Sequence, residues 1–223
     1  MKSAKSRQPK KTRVVIVEDH PMFRERLGQL INKADDMIVA GEADNIRDGL
    51  HLIQRIKPNI AIVDISLKGS NGLELLKDLR AQQIDLPVLV LSMHDESLYA
   101  ERALRAGARG YITKNEASAK VMAAIRQVLN GEIYLNAHFM SHLMDKVVSG
   151  RGSSIQPIDL LADRELEVFE LIGRGLTTSE IGARLRLGIT TVDTYKARIK
   201  EKLALENSAR LRSEATRWVQ QQE

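Results

Sequence analysis

The sequence of 223 residues contains no cysteine, which excludes disulfide scaffolds, thiolate metal sites and cysteine nucleophiles. It also lacks long apolar runs, because stretches such as residues 88–91 are far below the roughly 18 residues that a membrane span needs. The amino terminus is basic, but no apolar segment follows it, so we expect no signal peptide. These absences predict a soluble, cytoplasmic protein that does not associate with a membrane.

Positive charge is unevenly distributed along the chain. The net charge is +5, yet the first 13 residues alone contain six basic side chains and no acidic one. A short basic segment of this kind is usually a solvated end of the chain. We therefore expect residues 1–12 to form a flexible tail with at most a non-specific electrostatic role in nucleic-acid binding.

Short β-branched runs alternate with amphipathic helical patterns in the first part of the chain. The runs are apolar on both faces, which is typical of strands buried in a parallel sheet. Strands that alternate with helices imply right-handed βαβ connections. We therefore predict an α/β domain over residues 13–135, with a flavodoxin-like, doubly wound, five-stranded parallel sheet. The predicted strands contain residues 14–17, 37–40, 60–63, 88–91 and 111–113, and the predicted helices contain residues 21–34, 45–56, 71–82, 96–106 and 116–130.

The pattern changes near residue 149. Residues 149–154 are small and polar, which indicates a flexible linker. We assign residues 136–159 to a connecting helix and this linker. Helical patterns without any strand pattern then predict a small all-helical domain over residues 160–223. These patterns cover residues 163–174, 178–186, 189–203 and 207–221.

Charged and hydroxyl side chains follow the predicted strands. Glu18 and Asp19 follow the first strand and Asp64 the third, while Ser92 and Lys114 follow the last two. Because ligands of open parallel sheets bind beyond the carboxyl ends of the strands, we expect these side chains to meet. Clustered carboxylates suit Mg²⁺, and a lysine and a hydroxyl beside them suit a phosphoryl group. The alternative is that an aspartate at a strand end only caps the next helix.

The same residues resemble the receiver domain of two-component response regulators. The resemblance lies in Val-Glu-Asp-His-Pro at 17–21, Val-Asp-Ile-Ser-Leu at 63–67, Leu-Ser-Met at 91–93 and Ala-Gly-Ala-Arg-Gly-Tyr-Ile-Thr-Lys at 106–114. The last stretch is typical of the NarL/FixJ class. The resemblance implies that Asp64 accepts phosphate from a histidine kinase. The implied Mg²⁺ ligands are Glu18, Asp19, Asp64 and the backbone carbonyl of Ser66, and the implied phosphate-sensing and switch residues are Ser92, Tyr111 and Lys114.

Two residues near the predicted pocket stand apart from this pattern. Lys68 occupies the position, four residues after the phosphoacceptor, where the family commonly has proline. The difference removes no implied ligand, but it puts the dynamics of that loop in question. His20 invites a role as a general base, and we favour instead a residue that starts a helix.

Two helical patterns in residues 178–203 are joined by a short turn around Gly188, which is the arrangement of a helix-turn-helix. The second pattern contains Lys196, Arg198 and Lys200, and a helix in the major groove contacts phosphates along its flanks. The alternative is an ordinary solvated helix face. Apolar positions with helical spacing predict one small core from residues 161, 168, 171, 172, 181, 185, 192, 199 and 203.

Residues 160–220 are similar to the LuxR-type DNA-binding domain, whose opening pattern is present here as Leu-Ala-Asp-Arg-Glu at 161–165. The similarity implies binding to double-stranded promoter DNA. Ala162 replaces the usual capping threonine, which we expect to cost about 1 kcal/mol, and Gly188 replaces a capping serine at a smaller cost. Tyr195 occupies a common histidine position. The implied DNA-binding residues are Thr190, Thr191, Asp193, Thr194, Lys196, Ala197, Arg198 and Lys200.

The last predicted helix has Leu211, Ala215 and Trp218 on one side. These side chains have two possible roles. They could pack against their own domain, or they could make the dimer contact that the resemblance implies. A two-fold homodimer would bind two DNA half-sites.

We interpret the chain as a phosphorylation-controlled, DNA-binding transcriptional regulator, and not as an enzyme. Its expected partners are a histidine kinase, promoter DNA, a second copy of itself and RNA polymerase. A phosphohydrolase of the haloacid dehalogenase type would need an aspartate two residues after the nucleophile, where this sequence has Ser66. A second alternative is a receiver that acts through protein interactions, or as a phosphate sink, without binding DNA.

Overall fold

The computed structural model describes residues 11–93, 96–148 and 157–221. The predicted linker residues 149–154 and nearly all of the predicted tail therefore lie outside the described residues. The chain forms two compact units. The first contains the described residues up to Ile65 together with Leu75–Tyr134, and the second contains Ser66–Glu74 and the described residues from Leu135 onward.

A parallel five-stranded sheet forms the centre of the first unit, as the sequence predicts. The strands are β1 (Thr12–Val17), β2 (Met37–Ala43), β3 (Ile60–Asp64), β6 (Val88–Ser92) and β7 (Gly110–Thr113). Their order in the sheet is β2-β1-β3-β6-β7, so the chain winds outward in both directions from β1 and β3.

Helices follow the strands in alternation: α1 (Pro21–Asn32), α2 (Ile46–Ile56), α3 (Leu73–Ala81), α4 (Glu96–Ala106) and α5 (Lys114–Leu129). Alternate strand residues point to opposite faces, so Val14 and Ile16 join α1 and α5 in one buried core. Val17 points to the other face, where α2 approaches closely. A Cβ added at Gly49 of α2 would lie only 2.9 Å from the Val17 side chain. The doubly wound α/β prediction is thus confirmed.

A two-stranded hairpin was not predicted. Its strands, β4 (Ser66–Leu67) and β5 (Ser70–Asn71), are antiparallel and are joined by the two-residue turn Lys68–Gly69. Gly69 has a φ of +73°, a conformation that a residue with a side chain rarely adopts. Lys68, in the position of the usual proline, is an exposed turn residue.

The second unit is helical apart from this hairpin, among the residues that the structure describes. It contains α6 (Ala137–Val148), a short 3-10 helix (Pro157–Leu160), α7 (Asp163–Gly173), α8 (Thr178–Leu185), α9 (Ile189–Lys202) and α10 (Ser208–Gln220). Eight of the nine predicted core positions are buried, and Leu203 is half-buried. Every helix in the described part of the chain is too short or too polar to traverse a lipid bilayer.

Close contact between α7 and α10 depends on a glycine. A Cβ at Gly173 would collide with the backbone of Ala215 and with the side chain of Val219. The hydroxyl of Thr216 reaches the Gly173 carbonyl at 3.4 Å along the same contact. The last helix is therefore seated directly on the backbone of α7.

Candidate functional site

The register of the sheet brings the predicted pocket residues to one edge. Val17 of β1 pairs with Val63 of β3, so the next residues, Glu18 and Asp64, lie side by side. Ser92 at the end of β6 pairs with Thr113 of β7, and Lys114 comes next in the chain. Strand pairing alone thus places carboxylates, a hydroxyl and an ammonium group at neighbouring strand ends.

Lys114 is the centre of the charge network in this pocket. Its Nζ lies 2.7 Å from Glu18 Oε2 and 2.9 Å from Asp64 Oδ2. It also lies 4.9 Å from the centre of the Phe23 ring, within the range of a cation–π contact. Glu18 and Asp64 are completely buried and Asp19 nearly so. Three buried carboxylates facing one ammonium group leave excess negative charge, which a bound cation would offset.

The donor set of the pocket suits a divalent cation. Glu18, Asp19, His20 and Asp64 each offer one ligand atom, and these atoms all lie within 4.8 Å of one another. Three of the four are carboxylate oxygens, the ligands that Mg²⁺ prefers. Ser66, whose backbone carbonyl is also predicted as a ligand, is half-buried at the first position of β4.

The other two predicted phosphate-sensing and switch residues lie on β6, which pairs with the strand of Asp64, and on β7, which is the next strand after β6. Ser92 is fully buried as the last residue of β6, and β3 pairs with β6 so that Asp64 aligns with Leu91. Tyr111 is fully buried in β7, where it pairs with Val90. The tyrosine side chain therefore lies inside the unit in this structure.

Two residues outside the predicted ligand set also shape the pocket. The backbone N–H of His20 donates to Glu18 Oε1 at 2.9 Å, and its Nδ1 lies 2.9 Å from Asp19 Oδ1. The Arg24 guanidinium donates to the Glu18 carbonyl oxygen. His20 does precede α1, as expected for a helix-start residue, but its imidazole faces the carboxylates. In the sequence, only the position of His20 directly after Glu18 and Asp19 indicated that its side chain belongs to the pocket.

In the helical unit, α8 and α9 are joined by a tight turn. Arg186 adopts the left-handed conformation, with a φ of +54°, and the Leu187 N–H donates to the Gly182 carbonyl at 2.8 Å. Gly188 is the N-cap of α9, as predicted, and no side chain caps this end. Val192 and Ile199 turn inward and bury one side of α9.

The opposite side of α9 carries the predicted DNA-binding residues. Lys196 and Lys200 are half-buried, and the Lys196 Nζ contacts the Thr178 hydroxyl of α8. Asp193 is 60% exposed and lies 3.9 Å from the Lys196 Nζ. The exposed members of the set are Thr190, Thr191, Asp193, Thr194, Ala197 and Arg198.

Two protein-family models match this chain, one over the α/β region and one over the helical region. The family model for the response regulator receiver domain matches residues 14–126. The model for bacterial regulatory proteins of the luxR family matches residues 159–215. The chain belongs to the response regulators. It is a phosphorylation-controlled, DNA-binding transcription regulator that joins a receiver domain to a LuxR-type domain.

Similar proteins resemble this response regulator over nearly their full length. The nitrate/nitrite response regulator NarL of Escherichia coli K12 is 30% identical over 94% of this chain and 95% of its own. The oxygen regulatory protein NreC of Staphylococcus carnosus is 31% identical over 89% and 94%. A LuxR-family response regulator from Aurantimonas superposes with a TM-score of 0.58 at 29% identity, over 62% of this chain and 99% of that one.

The Arg-Glu pair of the LuxR-type pattern connects three helices. The Arg164 guanidinium donates to the Leu185 carbonyl at the end of α8, at 3.0 Å, and also pairs with Glu167. Glu165 Oε2 accepts a 2.6 Å ion pair from Lys202 of α9 and a 2.8 Å bond from the Ala162 N–H. The two residues thereby fix the positions of α8 and α9 relative to α7.

The starts of α7 and α8 are capped differently. Thr177 and Glu180 form a reciprocal capping box at α8, and the bonds from the Thr177 hydroxyl and N–H hold the pKa of Glu180 below its ordinary value. At α7 the N-cap is Ala162, which has no oxygen to accept the orphan N–H. The predicted loss of a side-chain cap at Ala162 is confirmed.

Two of the three residues predicted as a dimer contact lie inside the domain. Leu211 and Ala215 are 2% and 0% exposed and face α7 and α9. Trp218 is half-buried, with its ring centre 5.8 Å from that of Phe169. This arrangement favours the alternative role, packing within the domain, for Leu211 and Ala215.

Proposed function

We propose that Asp64 accepts a phosphoryl group from a histidine kinase and that this modification controls the binding of promoter DNA by α9. The observation that carries the proposal is the buried cluster at the strand ends, in which Lys114 contacts both Glu18 and Asp64. Buried charges are costly unless they are paired and hydrogen-bonded, and here two buried carboxylates share one lysine. Here their arrangement matches the needs of a phosphoryl acceptor.

In the transfer, an Asp64 carboxylate oxygen attacks phosphorus. The new P–O bond forms as the P–N bond to the kinase histidine breaks, and the electron pair of that bond returns to the imidazole nitrogen. A carboxylate of charge −1 becomes an acyl phosphate of about −2. Lys114, 2.9 Å from Asp64 Oδ2, is placed to pair with the added oxygens.

Glu18, Asp19, Asp64 and the Ser66 carbonyl would hold Mg²⁺ in this pocket. The bound ion would neutralise charge on the phosphoryl oxygens during transfer. Glu18 would contribute without moving far, because the paired residue Val17 precedes it and the His20 N–H bonds to its side chain. Removal of divalent cations should therefore stop transfer while the sheet stays folded.

The signal would leave the pocket through Ser92 and Tyr111. The Ser92 hydroxyl can donate to a phosphoryl oxygen on the neighbouring strand end, and its movement would vacate space beside β7. Tyr111, buried on β7, is the large side chain able to respond to that space. A local change of this kind can bias a two-state element.

The kinase would approach beside Lys114, because Asp64 itself is buried. A cavity of about 470 Å³ lies there, with Phe23, Leu27 and Leu30 on its α1 side. Met93, which lines this cavity, is 56% exposed, and Met22, which precedes Phe23 in the chain, is 79% exposed. Exposed apolar side chains next to a buried reactive group are suited to a transient protein contact.

DNA recognition would use the exposed side of α9. The exposed Arg198 would reach phosphates, which position the protein on the duplex, whereas the exposed Asp193 and threonines would contact base edges. An active homodimer would present two such helices to two half-sites. RNA polymerase is the expected further partner at a promoter.

Genomic footprinting of the wild type and of Asp64→Asn tests the proposal. We expect the wild type to occupy promoter sites under phosphorylating conditions and the variant to lose that occupancy. Asp78→Asn, a change of an exposed aspartate on α3, is the matched control. Equal occupancy by wild type and Asp64→Asn would contradict phosphorylation control, and no occupancy by either would favour a receiver that does not bind DNA.

A further inference from the structure

The imidazole of His20 faces the acidic pocket. Its Nδ1 lies 2.9 Å from Asp19 Oδ1 and 3.0 Å from Glu18 Oε1, while 52% of the side chain stays exposed. We propose that His20 supplies a nitrogen ligand to the cation bound in this pocket and so shifts its selectivity from Mg²⁺ toward divalent transition metals. This inference rests on the metal site of the proposed function.

The spacing of these atoms fits neighbouring positions around one ion. Metal–ligand bonds of about 2.0–2.1 Å at right angles place adjacent ligand atoms roughly 3 Å apart. Both Nδ1–oxygen distances have this value. The backbone restricts the position of the ring, because the His20 N–H bonds to Glu18 Oε1 and Pro21 follows as the first residue of α1. A cation bound at Nδ1 would replace the hydrogen bonds between Nδ1 and these carboxylates, and the ring would then carry its proton on Nε2.

The chemistry of the ligand decides which metals benefit. Mg²⁺ prefers oxygen and retains several waters, so it gains little from an imidazole. Imidazole nitrogen suits the later first-row ions, whose affinity rises along the series from Mn²⁺ to Cu²⁺. The half-exposed His20 ring can rotate away when the bound ion, such as Mg²⁺, keeps a water molecule at the coordination position that Nδ1 would occupy. His20 should therefore change selectivity more than the affinity for Mg²⁺.

The test uses the untagged full-length chain and two histidine variants. His20→Ala removes the proposed ligand, and His51→Ala, an exposed histidine on α2, is the matched control. Calorimetric titrations give the dissociation constants for Co²⁺ and Mg²⁺. We expect the preference for Co²⁺ over Mg²⁺ to fall at least about tenfold in His20→Ala, since even residues that only orient a ligand change metal affinity by about 10–100-fold. In His51→Ala it should stay unchanged.

Pulsed electron paramagnetic resonance with Mn²⁺ provides a direct readout. Nitrogen modulation in the wild-type signal that disappears in His20→Ala would support the ligand. Mn²⁺ bound without nitrogen modulation, or an unchanged Co²⁺ preference in His20→Ala, would overturn the role of His20 and leave the oxygen site intact. Failure of the wild type to bind any of the three ions would instead overturn the metal site itself, and the inference with it.

Discussion

The receiver pocket and helix α9 use charge in opposite ways. Glu18, Asp64 and Lys114 are buried at strand ends, where Lys114 contacts both carboxylates. Asp193 and Arg198 of α9 are exposed, and exposed charged residues of this kind are common on ordinary solvated helices. Burying charge is expensive unless the charge is paired, so buried carboxylates in excess of their cations indicate a binding site, whereas exposed charge indicates a function only together with a family pattern.

The first way to test this contrast is to remove one lysine from each region. Lys114→Gln leaves buried carboxylates without their cation, so the free energy of unfolding of the receiver should fall by on the order of 3 kcal/mol. Lys196→Gln removes a partly solvated charge and should change stability by no more than about 1 kcal/mol. Urea unfolding in the presence of a chelator, followed by circular dichroism, measures both. Equal effects of the two substitutions would contradict the contrast.

Asp193 tests whether exposed charge on α9 carries sequence information. If its carboxylate accepts a bond from a cytosine amino group, discrimination worth about 1–3 kcal/mol should disappear in Asp193→Ala at one position of each half-site. Binding to unrelated DNA should stay equal or tighten, because a repulsion from phosphates is lost. Binding-site selection gives the answer. If the base preference is unchanged at every position, the remaining role of Asp193 is a favourable interaction of its negative charge with the dipole of α9.

Arg198→Ala serves as the counterpart to that substitution. A side chain that holds a phosphate contributes equally to all sequences, so affinity should fall together for specific and unrelated DNA. The slope of log affinity against log salt should shrink by about one unit. Mobility shifts over a salt series measure both effects. A loss confined to one preferred sequence would assign Arg198 to base recognition instead.

The helix caps give the smallest expected effect. Ala162→Thr supplies the missing acceptor at the start of α7 and should stabilise the helical unit by about 1 kcal/mol. Thr177→Ala breaks the capping box of α8 and should destabilise it by a similar amount. Fluorescence of Trp218, the single tryptophan of the chain, follows this unit during urea unfolding. Lower stability of Ala162→Thr would show that α7 begins differently.

The sequence was sufficient to predict the five strands and the meeting of Glu18, Asp64 and Lys114. Apolar runs bounded by charged residues determine both strand ends and their alignment. The β4–β5 hairpin escaped prediction because strands of two residues have no periodicity. The orientation of the His20 ring and the link from Arg164 to the Leu185 carbonyl escaped because each depends on contacts between elements.

The inward packing of Leu211 and Ala215 marks a second limit of sequence reasoning. An apolar stripe on a helix predicts that one side is covered, but it does not say whether the covering surface belongs to the same chain. The packing of α10 on α7 at Gly173 shows that the covering surface is α7 of the same domain.

Chemical trapping of the modified residue tests the central claim most directly. The full-length chain is incubated with a small phosphodonor and Mg²⁺ and then reduced with borohydride, which converts an aspartyl phosphate to homoserine. Peptide mass spectrometry should locate homoserine at position 64 in the wild type and in Asp78→Asn, and nowhere in Asp64→Asn. Phosphate on another residue, or undiminished labelling of Asp64→Asn, would contradict the assignment of Asp64 as the phosphoacceptor.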